Sequence, residues 1–280
     1  MQEQTNLKAA LYVVATPIGN LEDITLRAIK TLQQCDFVVC EDSRITGRLL
    51  EHFNIKKPYF IYNDHSDQLE REKILNQILQ GKSLALVSDA GTPLISDPGY
   101  KLINFLRENN CEILAVPGAS APIAALSVSG IATNRFMFCG FIPPSGRSKF
   151  FKDLEQIPSS LIFFDSPNRL VKTLQKMLEV FGNRTAAISR EITKIYEETR
   201  KDTLEELIKF YDAKPPKGEI VILLSGIDKK GHVSNEEIDS ALKEGLGKMK
   251  PKELVNFVSE ELKVAKKEVY QRMLAIKKDL

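Results

Sequence analysis

No apolar run in this chain approaches the roughly 18 residues that a membrane-spanning helix requires. The longest, such as those containing LYVVA at 11–15 and IVILL at 220–224, are far below that length. Cysteine and histidine are scarce and scattered: Cys35, Cys40, Cys111 and Cys139 include no CxxC pair, and His52, His65 and His232 do not flank them. Neither a zinc cluster nor a disulfide framework is expected from that spacing, and the four thiols read as reduced core residues. There is no GxGxxG, so a dinucleotide-type phosphate cradle is not expected. MQEQTNLKAA carries no basic leader ahead of an apolar stretch, which points to a cytoplasmic location. Internal repeats and low-complexity tracts are absent as well.

What is present is ordinary globular material. The 280 residues are 43% hydrophobic and 27% charged, and a chain of this length buries about three quarters of the surface it exposes unfolded. The net charge of +2 is uneven. Residues 243–280 carry ten Lys or Arg against six acids, so the remainder is slightly acidic. A basic tail on a near-neutral body suits an acidic partner such as a phosphate backbone, or else a solvated helical face.

Short apolar runs ending in Pro, Gly or Asp alternate with helix-period segments up to about residue 225. LYVVAT, DFVVCED, YFIY, LALVSD and EILAVPG read as strands, with ITLRAIKTLQQC, LEREKILNQILQ and YKLINFLRENN as helices between them. A second set follows: FMFCGF, LIFFDS, TAAISRE and EIVILLSG as strands, helices from Arg147 and Asn168, and an alternating KIYEETRKDT (194–203) as a strand with one wet face. The alternation predicts an α/β protein of two lobes, 1–117 and 118–226, the first with a largely parallel sheet and the second mixed. From 227 to 280 the β signal stops. A capping box at Ser234 and Glu237 and a first-turn Pro251 predict three short helices.

Ligands in open α/β sheets bind at strand ends, so the loops there carry the functional signal. PIGNLEDIT follows the first strand as a tight turn. DAGTPLISDPG (89–99) spends Gly91, Pro93, Pro98 and Gly99 on eleven residues and is framed by Asp89 and Asp97. Such a loop aims backbone N–H and C=O groups in set directions, which suits a polar or zwitterionic small ligand. PGASAPIAA (117–125) has only small side chains around a helix start that Ser120 would cap. CEDSRITGR places Asp42, Arg44 and Arg48 at another strand end, and IYNDH places Asn63 and His65; each could grip a substrate or accept a proton.

Taken in order, LYVVATPIGNLEDIT, CEDSR, SDAGTPLISDPG and VPGASA resemble the tetrapyrrole-methylase family of S-adenosylmethionine enzymes. Within it they are similar to the branch that methylates a cytidine ribose 2′-hydroxyl in the decoding region of 16S ribosomal RNA. That resemblance spans nearly the whole chain. It implies a class III methyltransferase fold, two-lobed with a small C-terminal helical domain, and S-adenosylmethionine held in the cleft largely by main-chain atoms. The contacts it implies are Leu21, Asp89, Gly91, Leu94, Ile95, Ser120 and Ala121 in the first half, and Phe164, Asp165, Ala187, Glu219 and Ile220 in the second. ATPIGNL keeps one glycine where the tetrapyrrole-precursor branch has GxGxGD, which favours the RNA branch.

A sulfonium methyl is already electrophilic, so the protein's task is chiefly to align a ribose hydroxyl in line with it, with no metal required. Asp42, His65 and Glu191 are the candidate proton acceptors. Arg44, Arg48 and Arg190 would anchor phosphates, with Asn20 and Asn63 on the substrate side. The basic tail then contacts RNA backbone, and the family resemblance implies a homodimer. Two other readings stand beside this one: the same fold acting on a small molecule such as a tetrapyrrole precursor, or on a protein side chain, and a non-catalytic RNA-binding assembly factor. The tail counts against the former and the intact cleft loops against the latter.

Overall fold

The computed structural model describes residues 7–63, 65–227, 235–246, 248–262 and 264–278. They divide into two compact units, the first ending at Ser225 and the second beginning at Gly226.

The first unit contains two five-stranded sheets. Strands β1 (Leu11–Val14), β2 (Phe37–Cys40), β3 (Tyr59–Ile61), β4 (Leu84–Leu86) and β5 (Ile113–Val116) form an all-parallel sheet in the order β3-β2-β4-β1-β5. Helices α1 (Leu26–Gln34), α2 (Ser43–His52), α3 (Gln68–Leu79) and α4 (Tyr100–Glu108) connect them. Alternation along β1 separates two cores. Tyr12 and Val14 pack with Ala28, Leu32 and Leu50 on one face, and Leu11 packs with Ile74, Ile78, Leu102 and Leu106 on the other. Parallel strands covered on both sides read as continuous apolar runs, which is why these segments are β-branched and uncharged.

After α5 (Ala121–Ser129) the second sheet begins. It comprises β6 (Phe136–Phe141), β7 (Ser160–Asp165), β8 (Thr185–Arg190), β9 (Glu198–Thr203) and β10 (Ile220–Leu224), in the order β6-β7-β10-β8-β9. Only the β6–β7 pair is parallel, so the sheet is mixed as the sequence predicts. Helices α6 (Arg147–Leu154), α7 (Leu170–Phe181) and α8 (Leu204–Ala213) cover one face and α5 the other. Central β10 is buried throughout: Ile220, Ile222 and Leu224 enter the α6–α8 core, while Val221 and Leu223 meet α5.

Three details differ from the sequence expectation. The expected strand at 194–203 begins only at Glu198, because Glu191 and Thr193 adopt positive φ and curl the chain into a loop first. Ser120 stands at the N-cap of α5 without a side-chain cap bond. Cys35, Cys40 and Cys111 are buried free thiols, but Cys139 on edge strand β6 is only half-buried.

The second unit contains α9 (Asn235–Gly245), α10 (Pro251–Glu261) and α11 (Lys266–Lys278), the three helices the sequence expects. Ile238, Leu242, Leu254, Val258, Val269 and Met273 form its core. An Arg272–Asp239 ion pair links α11 to α9. Pro251 does open α10. The Ser234 capping box lies outside the described residues. Among the described residues no helix is long and apolar enough to cross a membrane.

Candidate functional site

Three loops at the C-terminal ends of the first sheet are joined by hydrogen bonds into one surface. Thr16, just after β1, donates its N–H to the Gly91 carbonyl at 2.8 Å and accepts from the Gly91 N–H at 3.1 Å. The Thr16 hydroxyl reaches the Ser88 carbonyl at 3.2 Å, and the Thr92 hydroxyl reaches the Ala119 carbonyl at 3.0 Å. Glycine is needed where these loops touch. Gly91 has φ +81°, and a Cβ at Gly118 would lie 2.9 Å from the Ala15 Cβ. Leu94 (φ 73°) and Ser96 (φ 67°) hold left-handed backbone in the same loop, conformations that cost non-glycine residues energy and persist where surrounding structure enforces them.

This surface is one wall of a cavity of about 410 Å³, whose other wall comes from the second sheet. Ile18, Asp89–Thr92, Ile95–Asp97 and Ser120–Pro122 line the first side; Phe141, Phe164–Pro167, Ile192 and Gly218–Val221 line the second. The two sides meet closely at Gly140, φ +72°, where a Cβ would lie 3.7 Å from the Ser96 hydroxyl. Phe164 packs at a steep ring angle against Phe141 and Phe138 at centroid separations of 5.1 and 5.0 Å, and Phe141 and Phe164 give the cavity an aromatic flank.

Asp89 carries an unmet polar group into the cavity lining: its Oδ1 is buried without a hydrogen-bond partner. Burial pushes its carboxyl above the usual range, opposed by the Asp42 backbone N–H and reinforced by the Asp42 charge. Burial also raises Asp97. An orphaned carboxylate oxygen is costly unless a ligand donor completes it. On the same side, α5 presents its N-terminal N–H groups at Ser120 and Ala121, which suit a carboxylate or other anion. The cavity therefore offers an acceptor, an anion-favouring helix end and an aromatic surface, a set that fits a zwitterionic ligand with an apolar body.

The expected cofactor residues Asp89, Gly91, Ile95, Ser120, Ala121, Phe164, Asp165, Glu219 and Ile220 all line this cavity, the first five on one side and the last four on the other. Leu21, Leu94 and Ala187 do not line it. Leu21 lies 40% exposed in a one-turn helix after the first loop, Leu94 packs beneath its own loop against Gly99, and Ala187 is buried in the core under α5. Asp165 lines the cavity, but its fully buried carboxylate is held by Arg169 and by the Thr173 hydroxyl at 2.6 Å. It braces the β7–α7 turn.

The other candidates are dispersed around the cavity. Asp42 caps α2 and clasps Arg44, whose guanidinium holds its carboxyl down at about 2. Arg48 is exposed on α2. Asn20 caps the one-turn helix through Oδ1, and Asn63 accepts from the His65 N–H, His65 itself being exposed. Arg190 pairs with Glu198 at 2.8 Å. Glu191 accepts the Glu219 N–H at 3.0 Å and the Lys194 ammonium at 3.1 Å, which together lower its pKa. Lys194 also reaches Glu219 at 3.0 Å, and its stem lies against Gly19, tying the first loop to the second wall. Sequence reasoning missed Lys194, since nothing local marks a lysine that three distant segments share. Among the described residues no group of three His, Cys, Asp or Glu is arranged to hold a metal ion.

Residues 10–208 match the family described as Tetrapyrrole (Corrin/Porphyrin) Methylases. The ribosomal RNA small subunit methyltransferase I of Rickettsia prowazekii is 50% identical over 83% of this chain and 83% of its own. The protein of that name from Mesorhizobium japonicum is 40% identical over 97% of this chain and 93% of its own. Its Thermotoga maritima namesake is 43% identical over 217 residues, which are 98% of its length but 77% of this chain. That relative is too short to carry both units. Among solved structures, diphthine synthase superposes with a TM-score of 0.60 at 16% identity, covering 77% of this chain and 89% of its own. Cobalt precorrin-4 methyltransferase does so at 0.56 and 16%, over 78% of this chain and 95% of its own. At such identities these two show the fold.

Proposed function

Because the chain belongs to the tetrapyrrole methylase family and, within it, to the ribosomal RNA small subunit methyltransferase I group, we propose that its interlobe cavity is the site at which a ribosomal RNA ribose is methylated. The protein is a methyltransferase of ribosomal RNA, and its family uses S-adenosylmethionine. The finer reading is 2′-O-methylation of a cytidine in the decoding region of 16S RNA, within the small subunit and in the cytoplasm. The observation that carries this assignment is the cavity, on which the orphaned Asp89 oxygen, the start of α5 and, from the opposite wall, Phe164 converge.

Asp89, Gly91, Ser120 and Ala121 would hold the cofactor's polar end, with Phe164, Glu219 and Ile220 along its other side. When bound, S-adenosylmethionine supplies an electrophilic methyl group. The protein's own contribution is alignment and exclusion of water by the two walls. Of the candidate proton acceptors, Asp42 stands beside Asp89 and so beside the cavity. Arg44 keeps it ionised, which suits orienting a ribose hydroxyl by accepting its hydrogen bond. His65 and Glu191 remain the alternatives, though Glu191 already serves as acceptor to Glu219 and Lys194. Arg44, Arg48 and Arg190 would face phosphates, with Asn20 and Asn63 beside them.

We assign the lobes 1–117 and 118–226 to the cleft and 227–280 to RNA backbone contact. A homodimer is the expected assembly, and the exposed Phe136 and Met137 of edge strand β6 are consistent with a covered face. The decisive experiment is transfer of labelled methyl from S-adenosylmethionine to small ribosomal subunits from cells lacking this protein, with mapping of the product. One 2′-O-methylated cytidine is the expected result. Calorimetric cofactor binding without transfer would redirect the search to small-molecule or protein acceptors.

A further inference from the structure

The loop between β8 and β9 is built in a way that its own packing does not explain. Glu191 (φ 49°) and Thr193 (φ 67°) both occupy left-handed backbone. Four hydrogen bonds hold them there: Glu191 N–H to the Glu219 carbonyl at 3.0 Å, Lys194 N–H to the Glu191 carbonyl at 2.9 Å, Glu197 N–H to the Lys194 carbonyl at 3.0 Å, and Thr193 N–H to the Glu197 carboxylate at 2.7 Å. Lys194 adds its bridge to Glu191 and Glu219. The result is a braced loop whose tip presents Ile195 at 95% exposure and Tyr196 at 71%. Ordering apolar side chains in water has no return within the chain itself.

The position of the loop indicates the occupant. Its base reaches the reaction cavity, since Ile192 lines the wall and Lys194 grips Glu219, which lines it too. Glu191 lies directly over Gly218, and the neighbouring Lys217 is exposed, with no ion-pair partner among the described residues. An exposed tyrosine with an isoleucine beside it, a cation without an ion-pair partner among the described residues and an adjacent reaction cavity match the three parts of one nucleotide: base, phosphate and ribose. Two apolar side chains are also far short of the 20–30 residues a side that a stable protein interface uses.

We propose that Tyr196, flanked by Ile195, is the stacking platform for the base of the acceptor nucleotide, with Lys217 pairing an adjacent phosphate; this rests on the RNA-methyltransferase reading. A base in a folded RNA must leave its stack for its ribose to enter a cavity. Single-stranded nucleotides are held by stacking on aromatic side chains, and the bracing of the loop removes the entropy loss such a platform would otherwise suffer.

The test compares Tyr196→Ala, Tyr196→Phe and Tyr196→Trp in the full chain. Tyr196→Ala is expected to raise KM for small-subunit RNA about tenfold, the loss of one stacked base, while calorimetric affinity for S-adenosylmethionine and the melting temperature stay unchanged. Tyr196→Phe should restore KM. The natural chain has no tryptophan, so Tyr196→Trp supplies a single indole, whose fluorescence a single-stranded oligonucleotide spanning the methylated nucleotide should quench. An unchanged KM in Tyr196→Ala, or an unquenched indole at saturating RNA, overturns the proposal. So does an emission change that follows protein concentration instead of RNA, which would assign the patch to a second copy of the chain. If the wild type transfers no methyl to RNA, the underlying reading falls as well; if it does and the variants match it, only the platform falls.

Discussion

Thr16 and Gly91 exchange both of their backbone hydrogen bonds, at 2.8 and 3.1 Å, although 75 residues separate them. This two-bond bridge fastens the loop after β1 to the loop after β4, and Thr92 carries the connection on to Ala119. The first wall of the cavity is thus a single hydrogen-bonded sheet of loops.

Gly118 is the tightest point of that wall. Its Cβ position lies 2.9 Å from the Ala15 Cβ and 3.4 Å from the Ala15 carbonyl oxygen, neither of which can swing aside. Gly118→Ala should therefore push the third loop off β1, costing about 1–3 kcal/mol. Urea denaturation would read that loss, and calorimetry should show weakened S-adenosylmethionine binding. A variant of wild-type stability would mean that the backbone yields there.

Asp89 sets function against stability. Burial raises its folded pKa above the ordinary 3.8, so the folded state binds the proton more tightly than the unfolded chain and ionisation at neutral pH disfavours the fold. Asp89→Asn should raise the melting temperature at pH 7 by about 1–3 °C. The gain should shrink as the pH falls through the folded pKa, where the native carboxyl becomes neutral itself. Cofactor affinity should drop in the same variant. Unaltered calorimetric affinity would remove Asp89 from the cofactor site.

Asp165 is a structural acid by its contacts. Its side chain is fully buried, and removing the carboxylate leaves Arg169 and Thr173 without their partner. Asp165→Ala should cost about 3–5 kcal/mol, the loss typical of breaking a buried pair from one side. The drop in denaturant midpoint would accompany any loss of activity. Lost activity with an unchanged midpoint would instead place the carboxylate in ligand contact.

Residues 226–280 form a unit of their own with their own core, and the Thermotoga relative is too short to include an equivalent alongside the first unit. A chain ending at Ser225 should fold and bind S-adenosylmethionine with unchanged affinity. Its affinity for RNA should fall most at low salt, because counterion release by lysines supplies the lost contribution. A salt-independent deficit would contradict the backbone-contact role.

The strand ends and the three cleft loops were readable from residues 11–118 because their signals are local: β-branched runs, then proline, glycine and aspartate at the turn. The helices α2 and α8 were not singled out. Ser43–His52 is rich in turn-forming and charged residues and becomes helical through the Asp42 cap, while Leu204–Ala213 begins at a Thr203 cap that also ends strand β9. The strand expected from Lys194 began late for a similar reason, since its alternation is indistinguishable from a braced loop until Glu197 and Glu219 arrive as partners.

The sequence by itself determined the α/β class, the mixed second sheet, the basic helical tail and the loops that line the cavity, because periodicity, turn chemistry and composition are properties of neighbouring residues. Only the tertiary structure decided what those loops do to one another. It leaves Asp89 with an orphaned oxygen, commits Asp165 to Arg169, holds Asp42 ionised against Arg44, and lets Lys194 bridge two carboxylates beside Gly19. Burial and charge pairing depend on segments that meet only when the chain has folded, and these interactions separate a carboxylate left with an unpartnered oxygen from one committed to its neighbours.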